Sequence, residues 1–235
     1  MPTDQFANAL YAGAGALLAY ALLAWLASLP AFALHRIDVR GELRHVSEDS
    51  VSLVANRGVR GNFFTVELDE VRAAFEKLPW VREARVSRRW PDTLIVELVE
   101  HVPLARWNDR DLVSAEGEAF KASADAALPR LSGLEGSARE VVEAYKAYGE
   151  TLAPLGLRVE ELSLSPRRAW RLKTDSGLEI ALGRKDAAQR LDRFVRHYRE
   201  ISERLGAAPA YVDLRYADGF AVKLPHGAQK LNRQS

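Results

Sequence analysis

The longest apolar stretch of the chain lies close to its N-terminus. No side chain between residues 5 and 34 carries a formal charge. Residues 10–29 supply the roughly 20 positions that a helix needs to cross the hydrocarbon core of a bilayer. Tyr11 and Trp25 lie near the two ends of this stretch, where amphipathic rings favour the membrane interface. The pattern predicts a transmembrane helix over residues 10–31, after a cytoplasmic tail over residues 1–9.

Two other interpretations of this stretch stay open. Ala31-Phe32-Ala33 resembles the small-x-small site at which a secretory signal peptide is cleaved. The residues before the apolar stretch include no Lys or Arg, and the stretch is longer than a signal peptide needs, so an anchor is favoured. A buried helix of a globular domain is the second alternative.

The charges around this stretch do not settle its orientation. Arg36, Arg40 and Arg44 follow it and nothing basic precedes it, so the positive-inside rule would leave the large C-terminal part in the cytoplasm. The rule loses weight for long translocated domains, and both orientations stay open on charge alone.

Beyond the apolar stretch, the pattern changes to short elements over residues 34–103. Alternating apolar residues predict a strand that stops at Gly41. Ser47 suits the N-cap of a first helix and Asp69 that of a second, whose apolar face is Val71, Ala74, Phe75 and Leu78. Two alternating strands follow on either side of Pro91-Asp92. The order strand, helix, helix, strand, strand predicts a small sheet covered on one face by both helices.

Residues 104–224 predict a second domain with a mixed β-sheet and two helices. Two short strands are expected around Glu116-Gly117, and Ser137 with Glu140 has the spacing of a capping box. Asp186 precedes the strongest amphipathic helix of the chain, and Asp218-Gly219 suits the tight turn of a final hairpin. Residues 225–235 are polar and expected to be disordered. The fold class is therefore α+β: a transmembrane helix, a β-α-α-β-β domain and a mixed β-sheet domain with helices.

Composition removes several kinds of chemistry. The chain has 235 residues, a net charge of +1 and no cysteine, which excludes disulfides, thiolate metal sites and cysteine nucleophiles. Its five histidines are scattered without metal-ligand spacing, and nucleotide-binding or nucleophile-elbow motifs are absent from the sequence. We therefore predict no enzyme activity, no cofactor, no metal, no nucleic acid and no small-molecule substrate. A catalytic constellation assembled from distant residues stays open.

One segment carries a specific resemblance. The run "GNFFTVELDEVRAAFEKLPWVREARVSRRWPDTLIVELVEHVPLARW", from Gly61 to Trp107, resembles the FtsQ/DivIB family of bacterial cell-division proteins. The strand and helix order matches the polypeptide-transport-associated (POTRA) domain of that family. A single-pass anchor, a POTRA domain over residues 34–103 and a larger β domain over residues 104–224 are also that family's layout.

The resemblance implies a function and a location. It implies an essential divisome scaffold that binds FtsB, which arrives with FtsL, and links early division proteins to the septal peptidoglycan synthesis machinery, FtsW and FtsI included. The protein would be a single-pass type II protein of the inner membrane at the division septum, with its bulk in the periplasm. A transport or outer-membrane assembly component and a membrane-anchored cell-wall enzyme are the alternatives from other functional classes.

The resemblance also implies the partner site. FtsB would add a strand to the C-terminal strand of the chain, within "YVDLRYADGFAV". Guanidinium groups would bind partner carboxylates and a tyrosine would give a flat contact surface. The implied FtsB-binding residues are Arg167, Arg215, Tyr216, Gly219, Phe220, Ala221 and Val222.

Structural interpretations compete at these and other positions. Arg167 and Arg168 could form a solvated turn after Pro166, and Tyr216 could pack in a hairpin. Trp90 and Trp107 are predicted to be packing residues, and Asp92 a turn former rather than an acid catalyst. Arg85, Arg88 and Arg89 are predicted to form an exposed strand face that a partner or an anionic lipid surface could use.

Overall fold

The computed structural model describes residues 12–22, 25, 32–59, 61–124, 127–216 and 219–224. Residues 12–22 and residue 25 are helical. The rest of the predicted transmembrane span and the predicted tails at residues 1–9 and 225–235 lie outside the described residues. Within the described ranges, no helix combines the length and the apolar character that crossing a bilayer requires. The transmembrane helix therefore stays a prediction.

The chain divides into two units, Met1–His101 and Val102–Ser235. The first contains β1 (Arg36–Arg40), α1 (Glu48–Gly58), α2 (Leu68–Phe75), β2 (Val81–Arg89) and β3 (Thr93–Glu100). The sheet order is β1-β3-β2, with β1 parallel and β2 antiparallel to the central β3. The predicted order of strands and helices is confirmed.

Both helices bury their apolar faces against this small sheet. Phe75 of α2 is fully buried with Leu94 and Val96 of β3, and Val71 joins the same core. The Ser47 side chain accepts a hydrogen bond from the N–H of Ser50 at 3.3 Å, which confirms the predicted N-cap of α1.

Two predictions in this unit are wrong in detail. The N-cap position of α2 is Glu67, so Asp69 lies inside the first turn, where its charge still suits the positive end of the helix. Trp90 is 74% exposed at the turn between β2 and β3, so it is not a packing residue. The predicted pattern could not show this, because a residue in a turn projects away from both faces of the sheet.

The second unit is built on one nine-stranded sheet. In chain order its strands and helices are β4 (Pro103–Trp107), β5 (Asp111–Ser114), β6 (Ala119–Phe120), β7 (Arg130–Ser132), α3 (Ala138–Leu152), β8 (Val159–Leu164), β9 (Trp170–Thr174), β10 (Glu179–Gly183), α4 (Ala187–Leu205), β11 (Tyr211–Asp213) and β12 (Ala221–Lys223). Their order across the sheet is β12-β11-β10-β9-β8-β7-β4-β5-β6. The sheet is mixed, because β7 runs parallel to β4 and β8, and β10 runs parallel to β11.

The helices α3 and α4 contribute to the core of this second unit. Val141 and Leu152 of α3, and Leu191 and Phe194 of α4, are fully buried in one cluster with Leu172 and Ile180 of the sheet. Trp107 belongs to the same cluster, as predicted for a packing residue.

Two local predictions in this unit are confirmed and two are wrong. The two strands predicted around Glu116-Gly117 are β5 and β6, and β4 is a further strand before them, because Asn108 and Asp109 adopt positive φ and reverse the chain after β4. The Ser137 hydroxyl donates to the carbonyl of Leu134 at 2.7 Å, so no capping box forms. Asp186 is the N-cap residue of α4, as predicted, although it has a φ of +55° and makes no side-chain capping hydrogen bond. The final hairpin pairs Asp213 with Ala221, so residues 214–220 separate its strands instead of a two-residue turn.

The C-terminal edge of the nine-stranded sheet as a candidate partner site

The strand β12 lies at one end of the sheet order. It pairs antiparallel with β11 through Tyr211–Lys223, Val212–Val222 and Asp213–Ala221. In the part of the chain that the structure describes, β12 has a strand neighbour on that side alone. An edge strand of this kind presents backbone N–H and C=O groups that another strand can bind.

Side chains around β12 fix it to the domain while leaving its edge accessible. The Phe220 ring lies edge-on to the Phe194 ring of α4, with the ring centroids 6.1 Å apart. Val222 also packs against the main core, whereas Ala221 and Lys223 are exposed. Phe220 therefore precedes the strand and anchors it, and the strand that can pair is Ala221–Lys223.

Arg215 forms an ion pair within its own chain. Its Nε lies 2.8 Å from Asp213 Oδ1, and its Nη2 lies 2.6 Å from Asp213 Oδ2. The backbone N–H of Arg215 also donates to Asp213 Oδ1 at 3.0 Å. The Asp213 side chain is only 7% exposed, so it depends on these donors for solvation.

The charges of this pair stabilise each other. Hydrogen bonds from the Arg215 side chain lower the pKa of Asp213 despite its burial, and the same bonds raise the pKa of Arg215. The C-terminal end of β10 lies against the arginine, because a Cβ placed on Gly183 would be 3.1 Å from Arg215 Cγ. Gly183 has a φ of +81°, so both its conformation and this close approach favour glycine. Arg215 is thus positioned as a rigid exposed cation beside the hairpin.

Arg167 lies at the same end of the sheet. It is exposed in the turn between β8 and β9, which is closed by hydrogen bonds between Ser165 and Ala169. The register places Gly183 of β10 opposite Trp170 of β9, and β10 runs parallel to β11. The turn, the end of β10 and the end of β11 therefore share one end of the sheet. Two to three inter-strand spacings separate the backbone of this turn from that of β11, or roughly 10–15 Å.

The remaining predicted residues differ in their exposure. Tyr216 is 58% exposed, so it is not a core residue of the hairpin. Gly219 is half-buried, and no atom lies within 4 Å of a Cβ placed there. Together with Arg167, Arg215 and Ala221, Tyr216 gives this end of the sheet an exposed cationic and aromatic border beside an edge strand.

Two acidic residues escaped the sequence prediction. Asp213 forms an ion pair with Arg215. Glu140 of α3 forms one with Arg168, whose Nη2 lies 2.6 Å from Glu140 Oε1. Asp213 and Arg215 are two residues apart at the end of a strand, a spacing that places side chains on one face. This spacing is the feature of the sequence from which their pairing could have been predicted. Nothing in the local sequence linked Arg168 with Glu140, which lies in a different element.

The described residues include no group of three or more His, Cys, Asp or Glu side chains arranged to hold a metal ion. Arg215 and Arg168 are matched with carboxylates of their own chain, and Tyr216 faces solvent.

Comparison with known proteins identifies the two units. A family model described as the FtsQ-type POTRA domain matches residues 32–101, and one described as the C-terminal part of cell division protein FtsQ/DivIB matches residues 105–215. The chain belongs to the FtsQ/DivIB family. The first unit is therefore a POTRA domain. The C-terminal match ends at Arg215, so Tyr216 and β12 lie beyond the matched residues.

Relatives along most of the chain carry the same family name. The cell division protein FtsQ of Nitrosospira multiformis is 42% identical, covering 94% of this chain and 95% of its own length. That of Burkholderia pseudomallei is 42% identical over 92% of this chain and 90% of its own. That of Escherichia coli is 35% identical over 86% of this chain and 77% of its own.

Proposed function

We propose that this chain is a divisome scaffold of the bacterial inner membrane that binds FtsB, together with FtsL, by adding a partner strand to β12. FtsW and FtsI, which belong to septal peptidoglycan synthesis, are the further partners that this scaffold would help to gather. The observation that carries the proposal is the position of β12 at the end of the sheet order, with a neighbouring strand on one side among the described residues.

The surroundings of β12 support a strand as the ligand. The exposed Ala221 and Lys223 leave room for a neighbouring backbone at a spacing of about 4.8 Å. Arg167, Arg215 and Tyr216 at the same end offer cationic and aromatic contacts to the side chains of that strand. Backbone pairing supplies affinity in this mode of recognition, and the bordering side chains supply specificity.

The matched pair Ala221→Pro and Ala119→Pro tests strand addition. Both alanines are exposed on edge strands of the same sheet, at its opposite ends. Proline removes an N–H and restricts the backbone, so it should prevent β12 from acting as a template. We expect Ala221→Pro to abolish co-purification of FtsB with the full-length chain, and Ala119→Pro to leave it intact. Undiminished binding by a folded Ala221→Pro protein would refute strand addition.

The proposed anchor comprises residues 10–31, with the N-terminus in the cytoplasm and the bulk of the chain in the periplasm. The absence of charge from residues 5–34 supports it, and the arginines that follow argue for the opposite orientation. Protease added to intact spheroplasts should therefore remove everything after Leu34. Protection of the C-terminal part would show that the arginines set the topology.

A further inference from the structure

Exposed aromatic rings lie at one end of the POTRA unit, the end at which the chain enters it from the apolar segment. Phe32 comes directly after that segment, and its carbonyl accepts a hydrogen bond from the N–H of Phe63 at 2.9 Å. The neighbouring Phe64 packs edge-on against the Phe32 ring, with the centroids 5.0 Å apart, yet it remains 51% exposed. This exposed ring thus lies beside the point where the apolar segment ends.

Trp90 lies at the same end. The parallel register of β1 and β3 pairs Arg36 with Thr93, so the turn before β3 lies beside the start of β1. The N–H of His35 donates to the carbonyl of Asp92 at 3.1 Å, which ties the turn to the chain entering β1. Trp90, the most exposed of the large apolar side chains described in this unit, therefore projects from the end where Phe32 lies.

The surface between these rings is basic. Arg88 and Arg89 end β2 next to Trp90, and Arg36 begins β1; all three are exposed. Arg57 is exposed in the last turn of α1. Asn56 of the same turn and Val59, the C-cap residue after the helix, line one groove with His35 and Arg36.

Acidic groups offset only part of this charge. Asp38 lies 3.5 Å from Arg89 Nη1, and Asp92 lies 3.5 Å from His35 Nδ1. One N–H of the Arg88 side chain donates to the Val66 carbonyl at 2.6 Å. Because a carbonyl carries no net charge, this hydrogen bond does not neutralise the arginine. Four arginines against Asp38, Asp92 and Glu67, which is exposed directly after Val66, leave a small positive excess at this end.

We propose that this end of the POTRA unit rests in the headgroup layer of an anionic bilayer, with Trp90 and Phe64 as interfacial anchors and the four arginines bound to lipid phosphates. Tryptophan favours the interface because its ring is apolar and its N–H is polar. Arginine binds phosphate through its planar fork, and basic residues next to a membrane span are attracted by anionic lipid. This inference rests on the proposed membrane anchor.

Chain connectivity favours lipid over another protein as the occupant. Phe32 follows the proposed span without a linker, and each residue extends the chain by at most about 3.6 Å. Phe32 and its partner Phe64 therefore cannot lie far from the surface at which the span ends. The opposite end of β1, near Gly41, lies one strand length away, or roughly 16 Å. The contact would fix one end of the POTRA unit at the bilayer surface.

Fluorescence quenching in lipid nanodiscs tests this proposal. The chain has no native cysteine, so Asn56→Cys and Glu42→Cys each give the full-length protein one exposed labelling site, at the near and far ends of β1 respectively, with both proposed anchors kept. With nitroxide headgroup lipids in phosphatidylglycerol bilayers, we expect quenching at position 56 to exceed that at position 42 by roughly threefold or more. Trp90→Ser, or phosphatidylcholine in place of phosphatidylglycerol, should reduce this difference.

The outcomes separate this inference from the proposed function. Equal quenching at positions 56 and 42 in a chain that resists an alkaline carbonate wash would overturn the lipid contact and leave the anchor intact. Equal differences in both lipids would also overturn it, because the arginines must select anionic headgroups. A chain removed by the wash would refute the anchor and this inference together. Co-purification of FtsB reports on strand addition independently of all three results.

Discussion

At the scale of single residues, the ion pair with Asp213 means that a substitution of Arg215 affects stability as well as partner binding. The arginine side chain supplies most of the hydrogen bonds of a nearly buried carboxylate, so a substitution at Arg215 also removes these side-chain donors from Asp213 and leaves the backbone N–H of residue 215. Reversing the charge at Arg215 would therefore disturb the hairpin as well as a partner contact. Loss of FtsB binding in such a variant has two physical causes, and stability must be measured beside it.

We expect Arg215→Gln to lower the melting temperature by a few degrees at pH 7. The pKa of Asp213 is lowered in the folded chain, so its ionised form contributes stability above the unfolded pKa of about 3.9, and this contribution is lost as pH falls through the folded pKa. The difference from the natural protein should thus shrink below about pH 4. Melting curves from pH 7 to pH 2.5 measure it.

Arg196→Gln is the matched control for this prediction. Arg196 pairs with Asp192 at 2.8 Å on the surface of α4, where both side chains are largely exposed. An exposed pair contributes little, so the control should melt close to the natural protein at every pH. A constant difference between Arg215→Gln and the natural protein across the pH range would show that Asp213 ionisation is not the cause.

At the scale of elements, Glu100 connects the end of β3 to the loop before α1. Its carboxylate accepts hydrogen bonds from the N–H groups of Arg44, His45 and Val46 at 2.8–3.1 Å, and the ring of His45 stacks on Trp80 with the centroids 3.8 Å apart. Burial by itself raises the pKa of Glu100, but the donors of Val46, His45 and Arg44 outweigh it, and the pKa is lowered. One carboxylate thus sets the position from which α1 begins.

We expect Glu100→Gln to destabilise the POTRA unit by about 1–3 kcal/mol, because an amide has one acceptor oxygen and turns its own donors towards the loop. Because the pKa of Glu100 is lowered, its contribution is present above an unfolded value of about 4.3 and fades as pH falls further. Urea unfolding at pH 7 and pH 3 measures both statements. Glu97→Gln, exposed on the same strand, should unfold like the natural protein.

The helices and strands could be predicted where apolar residues recur with a regular period. The prediction failed where it had to name the hydrogen-bond partner of a single side chain. The alternation in β2 and β3 and the apolar face of α2 specified their burial. Ser137 had the spacing of a capping box, but its hydroxyl bonds backwards to Leu134. Asn108 and Asp109 reverse the chain through positive φ, a conformation that their short polar side chains tolerate but do not require.

At the scale of the whole molecule, the order of the strands across the sheet could not be predicted from the pattern of apolar and polar residues. The hairpin of β11 and β12 could be predicted from its alternation of apolar and polar residues. The residues proposed to bind a partner there came from the family resemblance. That β11 pairs with β10 in parallel, leaving β12 outermost, depends on a crossover through α4 that no local pattern encodes. For the same reason the sequence could not show that Arg167 and Arg215 share one end of the sheet.

The two ends of this sheet give the proposal its most direct test. Both β12 and β6 are short strands at ends of the sheet order, and amides at sheet edges exchange readily with solvent when no strand covers them. If FtsB adds a strand to β12, hydrogen exchange of the full-length chain with FtsB and FtsL should slow over residues 219–224 and remain unchanged over Ala119–Phe120. Protection at both edges would indicate a general gain in stability, and protection at β6 alone would place the partner at the opposite edge. Slowed exchange confined to β12 is the result that backbone pairing requires, because contact through Arg215 and Tyr216 alone would not cover the outer amide of that strand.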